Sequence, residues 1–334
     1  VAGITKRTKK NEPKVNTRDP LSINGTTVEP GQRAVVKLPV GRLPSGNQIN
    51  IQAHIFHSPE PGPVMLALAG VHGDEINGVE IVRRALADGL FANIERGSVI
   101  AIPILNLYGF NNFSRDVPDG KDVNRSFPGR LSGSLASRMA RTLTKRVLPH
   151  IDFGIDFHTG SQALYNYPQI RFTRSHEPSL ELARAFGAPY LVAKPPIARS
   201  LRKVAVDAGK PFLIFEGGES LRYDGYSIKQ AMDGLRRVMI NQGLLTGLTT
   251  LEPTPLIEKT SWVRAPNAGL FLWYKDSGQE ILKGEPLGEI NDPYGQQSWK
   301  IYAPRDGFII GHNNAPVVSQ GDALFHVGYG LEKG

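Results

Sequence analysis

The chain has 334 residues, 40% of them hydrophobic, with 39 Lys and Arg against 31 Asp and Glu and no cysteine. That length predicts about two domains with a sizeable core, and no apolar run reaches the roughly 18 residues that a membrane-spanning helix needs. Without cysteine, disulfides and thiolate metal sites are excluded.

The net charge is +8, and Lys6, Arg7, Lys9, Lys10, Lys14 and Arg18 crowd the first stretch, VAGITKRTKKNEPKVNTRD. No apolar secretory segment occurs there. No aromatic residue is interleaved with these charges to stack bases. Residues 1–19 therefore read as a solvated, disordered basic tail. The expectation is a cytoplasmic protein with no nucleic-acid and no membrane partner, and with room for a homo-oligomer.

Residues 20–56 read as β from the runs AVVKLPV and QINIQAHIF. Apolar strands then alternate with helical patterns. The predicted strands are 64–69 (VMLALA), 98–104 (SVIAIPI), 153–157 (FGIDF), 190–193 (YLVA) and 212–215 (FLIF). The predicted helices are 76–90, 133–148, 178–187, 199–208 and 227–245. Short apolar strands between helices predict the α/β class, a mixed sheet covered by helices on both faces, over residues 20–248.

TTLEPTPLIEKT, residues 249–260, has two prolines and no clear period, and reads as a linker. From 261 to 334 the helical signal vanishes and a small all-β domain is expected. It holds an internal repeat. APNAGLF (265–271) returns as APRDGFI 38 residues later, and KGEPLGEI (283–290) returns as QGDALFHV 37 residues later. The pattern resembles the biotinyl/lipoyl barrel-sandwich fold. Its midpoint, NDPYGQQSWK, offers only Lys300, out of the usual register for a modified lysine. A structural or site-covering module without a swinging arm is expected.

Chemistry concentrates at strand ends. His72 (GVHGDE), His158 (GIDFHTG) and Glu216 (FLIFEGGE) each follow an apolar strand. In open α/β sheets, ligands bind beyond the carboxyl ends of the strands. His72 and Glu75 are three apart at a strand-to-helix turn, a spacing that aims both at one point. With His158 they form a two-His, one-carboxylate set, which leaves zinc an open position. Asp74 is a candidate partner for an imidazole N–H. Gly70 and Gly73 give the turn its freedom. Each feature alone also fits an ordinary capped turn, and the helical H-E-x-x-H arrangement is absent. RDVPDGKDVNRSFPG (115–129) reads as a loop; taken alone it fits a surface loop with solvated charge, while Arg115, Asn124 and Arg125 are also residue types equipped to bind a carboxylate.

Together, GVHGDE, DGKDVNRSFPG, DFHTG and FEGGE resemble the succinylglutamate desuccinylase/aspartoacylase family, in its predicted-deacylase branch, over roughly residues 50–330. That family is related to the zinc carboxypeptidases of the carboxypeptidase A type. The resemblance implies a zinc-carboxypeptidase-like catalytic domain with one Zn2+ held by His72, Glu75 and His158. It implies Glu216 as general base and acid, with Glu219 as the competitor. Arg115 resembles the arginine that polarises the scissile carbonyl. Asn124 and Arg125 match the pair that grips the substrate α-carboxylate. Tyr165, in YNYPQIRF, falls where substrate contacts are expected, and Arg202 is a candidate for a second anionic group, with Arg199 as its rival. The implied activity is amide hydrolysis of an N-acyl amino acid or similar small metabolite. A metallocarboxypeptidase acting on short or cell-wall peptides is the alternative, and a non-catalytic ligand-binding member of the fold is the third reading.

Overall fold

The computed structural model describes residues 18–42, 45–250 and 252–332. Most of the basic tail, residues 1–17, lies outside them. Arg18 does not behave as solvated tail. It donates to the carbonyl oxygens of Gly97 (2.6 Å) and Gly62 (3.2 Å), which ties the chain to the body.

β1 (Leu21–Ile23) and β2 (Thr26–Val28) form a hairpin of their own. β3 (Arg33–Arg42), β4 (Gln48–His57) and β5 (Glu60–Ala69) lead into α1 (Ile76–Ala87), β6 (Arg96–Ile102), α2 (Leu107–Asn111) and α3 (Leu135–Arg146). Next come β7 (Phe153–Gly160), β8 (Leu164–Phe172), α4 (Glu177–Phe186), β9 (Tyr190–Ala193), α5 (Leu201–Asp207), β10 (Phe212–Glu219) and α6 (Gly225–Asn241). The rest is β: β11 (Leu256–Arg264), β12 (Gly269–Trp273), β13 (Glu280–Ile281), β14 (Pro286–Asn291), β15 (Ser298–Tyr302), β16 (Gly307–Asn313), β17 (Val317–Val318) and β18 (Ala323–Glu332).

The main sheet is mixed and has 12 strands, in the order β13-β16-β18-β11-β9-β8-β10-β7-β5-β6-β4-β3. β5 explains why the middle reads as a continuous apolar run. Met65, Ala67 and Ala69 join one core cluster with Ile81 and Val82 of α1, Phe186 of α4 and Leu235 of α6. Val64, Leu66 and Leu68 join another with Met139 and Leu143 of α3 and Leu201 of α5. Both sets of side chains are out of water, so no polar alternation survives in the sequence. Each fully buried Leu, Ile or Phe contributes about 1.5–3 kcal/mol. That is what lets this region also carry the buried charges described below.

β11 begins at Leu256, inside the segment read as a linker. It pairs in parallel with β9 and antiparallel with β18, so the main sheet runs on without a break. β16 pairs with β8 as well as with β18, which closes β8, β9, β11, β18 and β16 into a ring around Tyr190, Val192, Ile257 and Ile310. The repeat also has a structural meaning. A second sheet runs β15-β14-β12-β17, while β11-β18-β16-β13 is its counterpart at the end of the main sheet. Each sheet takes two strands from each copy. The repeated residues Ala265 and Ala303, and Phe271 and Ile309, meet in a shared core.

Candidate functional site

β5, β7 and β10 run parallel side by side, and the residues at their C-terminal ends line one pocket of about 200 Å³. After Ala69 the chain turns sharply. Gly70 adopts φ +61°, and a Cβ on Gly73 would lie 1.8 Å from the carbonyl carbon of Gly109. Only glycine fits both places. Gly73 N donates to Ser114 O at 3.1 Å, which ties the turn to the loop that follows α2.

This turn buries His72 and Glu75, and β7 brings His158 to them. His72 Nδ1 lies 2.7 Å from Glu75 Oε1, and His158 Nδ1 lies 2.7 Å from Glu75 Oε2. Each imidazole meets a second carboxylate at its far nitrogen. Asp122 Oδ1 is 3.2 Å from His72 Nε2. Asp156 Oδ2 is 2.8 Å from His158 Nε2, close but not aligned as a hydrogen bond. Asp156 precedes His158 by two residues, so the strand puts both on one face. Among the described residues, His72, Glu75 and His158 form a group whose ligand atoms lie within 4.8 Å of one another.

Burial opposes charge on all three. Even so, Asp156 and Glu75 hold the His158 pKa well above its ordinary value, Glu75 and Asp122 raise that of His72, and the two imidazoles hold Glu75 well below the carboxylate range. Carboxylates thus stabilise positive charge at this point. Two Nδ1 atoms and a carboxylate, backed by carboxylates at both Nε2 atoms, are a donor set that suits a divalent cation.

Asp74 does not take the supporting place expected of it. Its Oδ1 is buried without a partner, and the imidazoles are held instead by Asp122 and Asp156. Asp122 links three elements. Oδ1 accepts from Asn124 N at 2.6 Å, capping the short 3-10 turn Val123–Arg125, and Oδ2 accepts from Arg115 Nη2 at 3.0 Å. Arg115 Nη1 reaches Glu75 Oε1 at 3.2 Å and Ser161 Oγ at 2.8 Å, placing its guanidinium against the ligand group.

Glu216, in the C-terminal half of β10 and in register with His158, lines the pocket; the strand runs on past the apolar FLIF run to Glu219. Glu219 is not among the lining residues; its carboxylate accepts from Asn314 Nδ2. Asn124 and Arg125 also line the pocket. Asn124 Oδ1 accepts from Leu201 N at 3.0 Å, and Arg125 Nη1 donates to Asn124 O at 2.9 Å. Arg202 also lines the pocket and is 5% exposed. Its Nη2 donates to Pro195 O, while its Nη1 is buried with no partner. Burial, and then Arg171, lower its pKa to about 10. Arg199 is exposed and does not line the pocket.

Tyr165 is not brought to the pocket. Strand alternation back from Arg171 would point it there, but β8 carries an extra residue. Glu216 pairs with Gln169 and Gly218 with Asn166, so three steps on β8 match two on β10. The bulge spans Pro168, which has no N–H to lose. It reverses the phase: Leu164 and Asn166 line the pocket, while Tyr165 packs its ring 5.3 Å from that of His312. Asn166, Arg171, Asp122, Asp156 and Trp262 of β11 are the neighbours that sequence reasoning missed. Only Asp156 carried a usable signal, its two-residue spacing from His158. Trp262 is held by a stack on His326, with ring centroids 4.2 Å apart.

Residues 61–241 match the family model described as the succinylglutamate desuccinylase/aspartoacylase catalytic domain. The N-alpha-acetyl-L-2,4-diaminobutyric acid deacetylase of Halomonas elongata is 28% identical over 312 residues, covering 88% of this chain and 90% of the relative. The product-bound ectoine utilization protein EutE (DoeB) of Ruegeria pomeroyi superposes with a TM-score of 0.80 at 26% identity, covering 89% of this chain and 94% of that one. A succinylglutamate desuccinylase/aspartoacylase structure from Rhodobacter sphaeroides gives 0.78 at 25% identity, covering 89% and 95%. The family model spans more than half of the chain, and the protein belongs to the succinylglutamate desuccinylase/aspartoacylase family.

Proposed function

We propose that this protein is a zinc-dependent amidohydrolase that removes the acyl group from an N-acyl amino acid or a related small metabolite bearing a carboxylate. The observation that carries the reading is the convergence of His72, Glu75 and His158 at one point of a pocket that Glu216 also lines. The Halomonas relative, named for removing an acetyl group from an amino acid, supports the same reaction class.

His72 and His158 through Nδ1, with Glu75, would hold the ion. When bound, zinc supplies a Lewis acid for the scissile carbonyl and lowers the pKa of water. The rest falls to the side chains. Asp122 and Asp156 orient the two imidazoles. Glu216 accepts a proton from the attacking water and returns it to the departing amine nitrogen. Arg115, packed against Glu75, donates to the oxygen that gains charge as the carbonyl becomes tetrahedral.

Asn124 and Arg125 receive the α-carboxylate, and the buried Arg202 receives a second anionic group. The C-terminal β unit serves as a covering module, presenting Trp262 to the substrate. A panel of N-acetyl, N-succinyl and N-formyl amino acids assayed against short peptides tests the reading. Hydrolysis of the N-acyl amino acids, at rates well above those for the peptides, is expected. Peptide cleavage alone would move the enzyme to the carboxypeptidases.

A further inference from the structure

The Glu216 carboxylate is held at both oxygens. Oε1 lies 2.9 Å from Arg171 Nη1, and Oε2 accepts from Asn166 Nδ2 at 2.9 Å. Both partners stand on β8, five residues apart. In an unbroken strand an odd spacing puts two side chains on opposite faces. The extra residue around Pro168 cancels that, so both reach one carboxylate on β10. The bulge thus has a definite product: a cation on one oxygen and a neutral amide on the other. Arg115 and Arg202 lie close enough for their charges to favour the Glu216 carboxylate, while the direct contacts to its oxygens are those of Arg171 and Asn166.

Resting on the assignment of Glu216 as the proton carrier, we propose that Arg171, assisted by Asn166, is a positioning residue that fixes the plane of this carboxylate and assigns different work to its two oxygens. Oε1 stays with the Arg171 guanidinium, which can only donate. Oε2, whose partner is a neutral amide, takes and returns the proton. The O–H bond of the attacking water breaks as Oε2–H forms, and Oε2–H breaks as the N–H of the departing amine forms. A charge-assisted bond is roughly twice as strong as a neutral one. The free carboxylate therefore gives up Asn166 before Arg171. Losing the pair lets the carboxylate rotate away from the line of transfer, and a misplacement of about 1 Å costs about 10²-fold in rate.

The test is a double-mutant cycle read in kcat and KM separately. R171M is expected to lower kcat by roughly 10- to 100-fold. Its KM should stay within about threefold, with metal content and Tm at wild-type values. R171K should recover most of the loss. In the E216Q background R171M should cost almost nothing further, because a positioning residue has nothing left to position. Additive losses in the cycle, or a raised KM with unchanged kcat, would overturn the proposal and make Arg171 a plain substrate ligand. If R171M does not fold, N166A carries the same cycle with the same criterion of additivity. A fully active E216Q would sink the assignment of the base instead, so the two failures are distinguishable.

Discussion

The two ends of the pocket are built on opposite terms. At the His72, Glu75 and His158 end, each imidazole stands between two carboxylates and every charge has an opposite neighbour. At the Asn124, Arg125 and Arg202 end, the hydrogen bonds that the cations make to the described residues go to backbone carbonyls, Arg202 Nη1 is buried without one, and Glu216 reaches Arg202 through its charge. A buried charge without a partner costs stability, and proteins keep one where a ligand completes it. Under the proposed function the first end would take a cation and the second an anion, and a substrate with a carboxylate at one side of its amide bond would span the two.

This contrast orders the expected effects of substitution. The largest is at the paired end. Glu75→Ala removes the carboxylate shared by both imidazoles and should abolish metal binding and turnover together; metal analysis beside an activity assay reads both. Glu216→Gln should keep the metal and lower kcat by about 10²- to 10⁴-fold, the usual worth of a general acid–base group. Asp156→Asn leaves the ligands in place but loosens His158. A loss of roughly 10- to 100-fold in metal affinity is expected from competition with a chelator.

At the unpaired end the sign of the stability change is the sharper readout. Arg202→Met should raise KM by about tenfold or more, as expected for loss of a hydrogen bond to a charged group. It should leave Tm nearly unchanged, since the guanidinium it removes is desolvated and is held by one hydrogen bond to Pro195 O and a charge interaction with Glu216. A clear fall in Tm would contradict the contrast itself. The smallest effect belongs to Tyr165, whose ring packs against His312 and which is not among the residues lining the pocket. Tyr165→Phe, which keeps that ring contact, should leave kcat and KM unchanged in a steady-state assay.

The cation end was the more legible in sequence. VMLALA, FGIDF and FLIF are apolar runs long enough to read as buried strands, and a polar residue just past such a run has few structural reasons to be there. The anion end was legible only through its loop, because arginines on loops and short helices read the same whether solvated or buried. Arg202 looks ordinary in RSLRK until α5 packs it inward. β8 was missed as a strand because LYNYPQIRF mixes polar residues with a proline, and the bulge that proline accommodates inverted the side of the sheet on which Tyr165 lies. The start of β11 was hidden for a related reason: Pro253 and Pro255 stand just before Leu256 and read as linker. Asp122 could not be linked to His72 from sequence, since 50 residues separate them and only the folded loop joins them.

The proposed function stands on a catalytic zinc held by His72, Glu75 and His158. Elemental analysis of the purified protein, paired with activity before and after chelation, tests for it. A Zn-to-chain ratio near unity is expected, with loss of activity as zinc is stripped and its return on adding zinc back. A protein that is free of metal and fully active would contradict it.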